Sequence, residues 1–148
     1  WSPHTARNIN KLEAVQRRAA RFALNDYEYG PQAKLSDKIE SNLKWLPLQH
    51  RRSLYDLSMF YKIRNNQVNI SFPSSVQLSH KSDLRYNRIK IVHSDAYKYS
   101  FFCRTIRVWN LLPVDVIDSG SVELFKAKSL VWMTPLQWVK VSNTWVLV

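Results

Sequence analysis

One cysteine and two glycines in 148 residues are the first constraints this sequence imposes. Cys103 has no second thiol for an intramolecular disulfide. With only His4, His50, His80 and His93 scattered along the chain, it cannot complete the four-ligand set of a structural zinc site. A reducing compartment, nuclear or cytoplasmic, is expected. Gly30 and Gly120 stand too far apart for a Walker-type loop or a dinucleotide fingerprint, each of which needs clustered glycines. Acidic residues are scarce too: 11 Asp and Glu face 22 Lys and Arg, giving a formal charge of +11 and a pI near 10.0. A long apolar run is also missing. Residues 129–148 hold three of the six tryptophans and a single charge, Lys140, but Pro135, Gln137, Ser142 and Asn143 interrupt them before about 20 apolar residues accumulate. No membrane partner is expected.

What is present is enough apolar material for a core, 45% hydrophobic and 13% aromatic, so wholesale disorder is excluded. The length allows one domain with a tail. The excess of cations is concentrated in residues 41–110, which carry 12 basic and 3 acidic side chains. A strongly basic folded chain points to a polyanionic partner, RNA or DNA. The chain opens on Trp1-Ser2-Pro3-His4, without an initiator methionine, a charged leader or an apolar leader run, and is expected to be a piece of something longer.

Spacing predicts a helix over residues 6–24, capped by Thr5, with Ile9, Leu12, Val15, Ala19, Phe22 and Ala23 as its buried stripe. Arg7, Lys11, Arg17, Arg18 and Arg21 then form a band facing away from the core. Ser36, Asp37 and Glu40 predict a short second helix running to Trp45, and Pro47 opens a third, central helix that ends at Asn65-Asn66. Residues 67–94 read as a basic loop, with Arg88 to Val92 alternating like a strand and residues 97–102 as its antiparallel partner. A helix from Arg104 to Leu111 and another starting near Ser121 follow. The fold class expected is mainly α, a bundle-like helical domain with a small antiparallel β ribbon and a basic loop.

The segment Leu12-Glu13-Ala14-Val15-Gln16-Arg17-Arg18-Ala19-Ala20-Arg21-Phe22, preceded by Trp1-Ser2-Pro3-His4-Thr5, resembles the part that follows the polymerase palm in reverse transcriptases of jockey and CR-one-like non-LTR retrotransposons. Further blocks agree in order: Trp45-Leu46-Pro47-Leu48 with Arg51-Arg52, Met59-Phe60-Tyr61-Lys62-Ile63, and Asp95-Ala96-Tyr97-Lys98-Tyr99-Ser100-Phe101-Phe102. The last runs into Arg104-Thr105-Ile106-Arg107, Trp109-Asn110, Leu112-Pro113 and Ser121-Val122-Glu123-Leu124-Phe125-Lys126-Ala127. The resemblance covers residues 1–128. Residues 129–148 look like nothing in that family and read as an unrelated, poorly ordered apolar tail, and Cys103 stands where the family commonly has proline. Such a parent is an RNA-directed DNA polymerase with an upstream endonuclease. The resemblance thus implies the missing palm and endonuclease as further partners. The aromatic-Ala-Asp-Asp palm signature is absent from this chain, so no catalytic residue, metal or cofactor is expected in it.

Three groups of side chains are candidates for nucleic-acid contact. The first is the band Arg7, Lys11, Arg17, Arg18 and Arg21, whose alternative is a solvated helix face. The second is Arg51 and Arg52, whose charge at the start of a helix opposes its dipole. A phosphate would relieve that opposition, or one arginine pairs with Asp56. The third interleaves cations and rings, as single-strand-binding surfaces do: Arg85, Arg88, Lys90, Tyr97, Lys98, Tyr99, Arg104 and Arg107, with His93 nearby. Phe101, Phe102, Ile106 and Trp109 are expected instead in a core joining the C-terminal helices to the first. Asp115 and Asp118 flank turns and read as helix-start residues. If the charge serves other ends, the chain is a structural segment packing against the palm, or an inert remnant of a decayed element.

Overall fold

Thr5 lies in the extended region, and its carbonyl accepts the Ile9 N–H at 3.0 Å, which starts helix α1 (Ala6–Leu24). Asn25 ends it in the left-handed region, φ 49°, a conformation asparagine tolerates better than most residues. The backbone N–H groups of Asn25 and Asp26 then donate to the Phe22 and Arg21 carbonyls. Helix α2 (Leu35–Leu43) stops where Lys44 adopts φ 54°, two residues before the expected Trp45. Helix α3 (Leu48–Arg64) follows directly on Pro47. The computed structural model describes residues 3–28, 35–80, 82–87, 94–133, 138–141 and 144–147. They form two units, Trp1–Arg52 with Trp138–Val148 and Ser53–Gln137, and the division falls within α3.

In the first unit Ala20, Leu35 and Ile39 are buried together, with Leu24, Leu43 and Trp45 packed against them. The inward face of α1 is not the expected stripe. Ile9, Gln16 and Ala20 are buried, whereas Val15 and Phe22 are 62% and 80% exposed. The helix is turned by roughly 70° relative to the purely apolar stripe, keeping Ile9 inward. The cause is polar: Gln16 Nε2 donates to the Leu46 carbonyl at 3.0 Å, and the Glu13 carboxylate accepts the N–H groups of Leu48 and Gln49 at 3.4 and 3.2 Å. Across the α1–α2 connection, Lys38 Nζ meets Asp26 Oδ2 at 2.5 Å. Two strands, β3 (Trp138–Val141) and β4 (Thr144–Leu147), pair antiparallel in the same unit.

The second unit is built on aromatic rings. Phe60, Trp109 and Phe125 are fully buried, with Phe60 and Trp109 centroids 4.8 Å apart and Trp109 and Phe125 stacked at 5.7 Å. Phe72, Tyr86 and Phe102 extend the cluster, and Tyr61 stacks on Phe125 at 4.5 Å while its hydroxyl donates to the Ser119 carbonyl. Replacing one of the central rings by alanine costs about 3–5 kcal/mol in such a setting.

These rings come from α3, α5 (Phe101–Trp109), α7 (Val122–Met133), the loop at Phe72 and a strand. The ring partners of Phe102 and Trp109 within the second unit lie there. The aromatic run 97–102 is not a strand. It divides between α4 (Asp95–Lys98) and the start of α5, because Cys103, Ile106 and Trp109 recur every three residues and bury one helical face.

The antiparallel ribbon instead pairs β1 (Leu78–Ser79) with β2 (Ser82–Tyr86) through an irregular register. The expected strand Arg88 to Val92 lies outside the described residues. A four-residue helix, α6 (Val114–Ile117), follows Pro113. The boundary expected at residue 128 falls inside α7, whose Ser129 and Met133 are buried. The chain is mainly helical with a small antiparallel sheet.

His50, half-buried on the first turns of α3, has its imidazole pKa pushed below the usual 6.5 by burial, against the opposing charges of Glu13 and Glu40. The folded chain therefore binds that proton less readily than the unfolded chain. Its contribution to stability is complete above the ordinary imidazole value and declines as pH falls through about 6.5 toward the lowered folded value. Chemical denaturation across this window will show stability falling on acidification, and His50→Gln will flatten that decline.

Candidate nucleic-acid interface

α1 separates its charges by sign. Glu13, its one acidic residue, is drawn onto the N-terminus of α3, where a carboxylate offsets the positive end of the helix dipole. Arg7, Lys11, Arg17 and Arg18 are left exposed and make no ion pair among the described residues. Arg7, Lys11 and Arg18 line one side of the helix over roughly 16 Å of its axis. Arg21 differs. It is half-buried, and its charge, after the hydrogen bonds from Lys38 and the Glu28 N–H, helps hold the Asp26 carboxyl below its ordinary value.

Arg51 is exposed and Arg52 half-buried at the start of α3. The opposition between their charge and the dipole is met within the protein, because Glu13 occupies the free N–H groups a phosphate would have taken. Asp56 is not their counter-ion. It holds Arg104 through two parallel bonds, Nε to Oδ2 at 2.7 Å and Nη2 to Oδ1 at 2.9 Å.

The third group is divided. Arg104 is a structural side chain: besides Asp56 it donates to the Tyr99 carbonyl at 3.1 Å and lies 5.7 Å from the Phe101 ring centre. Arg85 is likewise engaged, its guanidinium donating to the carbonyls of Trp109 and Leu112 at 3.0 and 2.6 Å, at the negative end of α5. Tyr97 and Lys98 lie on the short α4 and Tyr99 caps its C-terminus, all half-buried, with Lys98 Nζ 5.2 Å from the Tyr99 ring centre. Arg107 is exposed. Arg88, Lys90 and His93 lie outside the described residues. The structure thus brings three members of one expected set together, Arg7, Lys11 and Arg18 of the α1 band, and ties Arg85 and Arg104 into the second unit's own framework.

Val15, Ala19, Phe22 and Ala23 are the surface residues that the apolar periodicity misassigns to the core. The signal that would have found them is Gln16 and Glu13, two polar residues on the opposite side of the wheel whose main-chain partners are invisible to a count of apolar positions. Among the described residues no group of three or more His, Cys, Asp or Glu is placed to hold a metal ion, and no helix is long and apolar enough to cross a membrane. Asp115 and Asp118 sit at the two ends of α6, and Cys103 is buried on α5. Compared with protein-family models, with curated proteins and with solved structures, the chain matches none.

Replacing Arg104 by methionine leaves Asp56 partly buried without its cation and is expected to lower stability by about 1–3 kcal/mol. Urea denaturation measures this. A side chain with no structural duty would leave the midpoint unchanged.

Proposed function

We propose that this chain binds nucleic acid without catalysing a reaction on it, using α1 as a phosphate-facing helix, and that it corresponds to the post-palm segment of a non-LTR retrotransposon reverse transcriptase. The observation that carries the reading is the withdrawal of Glu13: the one negative charge on α1 is engaged inside the protein, so the exposed band is purely cationic. Four uncompensated cations on one helix repel each other, and a phosphate backbone relieves that repulsion while releasing counterions. The net charge of +11 adds long-range attraction. The order of the sequence blocks over residues 1–128 supports the family assignment, and the palm and endonuclease of such a parent would supply the chemistry.

A second reading is a structural segment that docks on another protein surface. It is favoured by Leu124 and Val131 on α7, which are 47% and 73% exposed and two turns apart on one face.

Fluorescence anisotropy with the full chain and labelled single-stranded RNA and DNA, titrated across salt, separates the two. Binding should weaken steeply as salt rises. Changing Arg7, Lys11 and Arg18 together to glutamine should reduce the slope of log affinity against log salt by about 2, roughly 0.7 for each phosphate no longer neutralised. Salt-independent binding, or an unchanged slope in the triple variant, would overturn the nucleic-acid reading and leave the docking segment.

A further inference from the structure

Lys11, Val15, Arg18 and Phe22 follow one another at spacings of four, three and four residues, so they stand in a single row along α1. The row alternates cation and apolar group. Phe22 is 80% exposed and makes no ring contact among the described residues, and Val15 is 62% exposed. Single exposed apolar residues are ordinary on any surface. Here two of them are set in register with cations that make no ion pair among the described residues, on the side of α1 turned away from Ala20, Leu35 and Ile39.

We infer that this row selects unpaired nucleic-acid strands over duplex, with Phe22 as the stacking platform for a base and Arg18 and then Lys11, both on the N-terminal side of that ring, as the neutralising groups for successive phosphates of the strand. The inference rests on the nucleic-acid reading above and deepens it. Two physical differences between the ligands drive it. A duplex offers a helix surface its phosphates but keeps its base faces stacked on one another, so an exposed ring gains nothing from it. An unpaired strand can offer a base face and the adjoining phosphates together, and a stacked base covers apolar area that water otherwise surrounds. An arginine one turn before the ring lies about 6 Å along the axis, within reach of the backbone of the same nucleotide. Charge complementarity also sets the sign of the occupant, since a row of alternating cations and apolar groups on a helix whose one carboxylate faces inward favours a polyanion carrying flat apolar faces.

The test compares a labelled oligouridylate, an oligothymidylate and a hairpin duplex of the same total length, each titrated with the full chain and with its Phe22→Ala and Phe22→Trp variants. The wild type should prefer the single strands. Phe22→Ala should weaken single-strand binding about ten- to a hundredfold while leaving duplex affinity and the salt slope unchanged, and Phe22→Trp should restore it. Because the ring is exposed, unaltered thermal melts verify that the variants fold. Equal affinity for strand and duplex, or a neutral Phe22→Ala, would overturn this inference while salt-dependent binding kept the broader reading intact. Absence of salt-dependent binding to any of the three probes would overturn both. If the uridylate and thymidylate both bind but differ in affinity, the inference stands and the 2′-hydroxyl is being read as well.

Discussion

The Glu13 carboxylate on the N-terminus of α3 is the contact on which the first unit's surface depends. A helix start leaves several N–H groups without intrahelical partners, and a carboxylate placed there answers both the hydrogen-bonding need and the dipole. In this chain the carboxylate comes from a different helix, 35 residues earlier in sequence, so a local cap becomes a long-range tether. Gln16, one turn further along α1, reads the Leu46 carbonyl in the same connection. These two side chains fix the rotation of α1 about its own axis. That rotation decides which residues water sees: cations and Phe22 outward, Ile9 and Ala20 inward.

The second unit solves a different problem. It carries 11 Lys and Arg against 6 Asp and Glu, and it gives two of its guanidinium groups main-chain carbonyls in place of, or beside, an anion. Arg85 draws on the end of α5, and Arg104 combines one carboxylate with one carbonyl. Carbonyls at helix termini carry partial negative charge, so a basic chain can place cations beside its own core without an equal number of acids. The ring cluster around Trp109 supplies the apolar burial that holds those carbonyls in place. High positive charge is therefore not uniformly a binding signal in this molecule. Part of it is architecture.

The sequence was most legible where one local pattern decides the outcome. Thr5 and Asn25 bracket α1 over 6–24 as expected, although the Thr5 side chain makes no cap hydrogen bond, and Pro47 and Asn65 bracket α3. It was least legible where distant groups decide. No periodicity announces that Glu13 and Gln16 will face inward, because their partners are backbone atoms contributed by residues 46 to 49. The aromatic run 97–102 has strong strand propensity, yet burial of Cys103, Ile106 and Trp109 on one face imposes the helical period. For the candidate site, the α1 cations were legible as a band. The duties of Arg85 and Arg104 were not, since their acceptors lie 24 and 48 residues away.

The junction of β2 with the end of α5 also bears on how the chain behaves in company. Trp109 Nε1 donates to the Leu84 carbonyl at 3.0 Å, and the Asn110 side-chain amide both accepts the Tyr86 N–H at 3.1 Å and donates to the Tyr86 carbonyl at 2.8 Å. An amide that bonds one residue in both directions imitates a neighbouring strand. Leu84 and Tyr86 alternate along β2, so the main-chain groups on that border are occupied by side chains of the same protein. A two-stranded ribbon ordinarily leaves such a border open to any extended segment that meets it. Here the Trp109-Asn110 pair works as a selvedge along β2, holding the Leu84 carbonyl and both main-chain groups of Tyr86 so that an incoming strand would have to displace it to pair there.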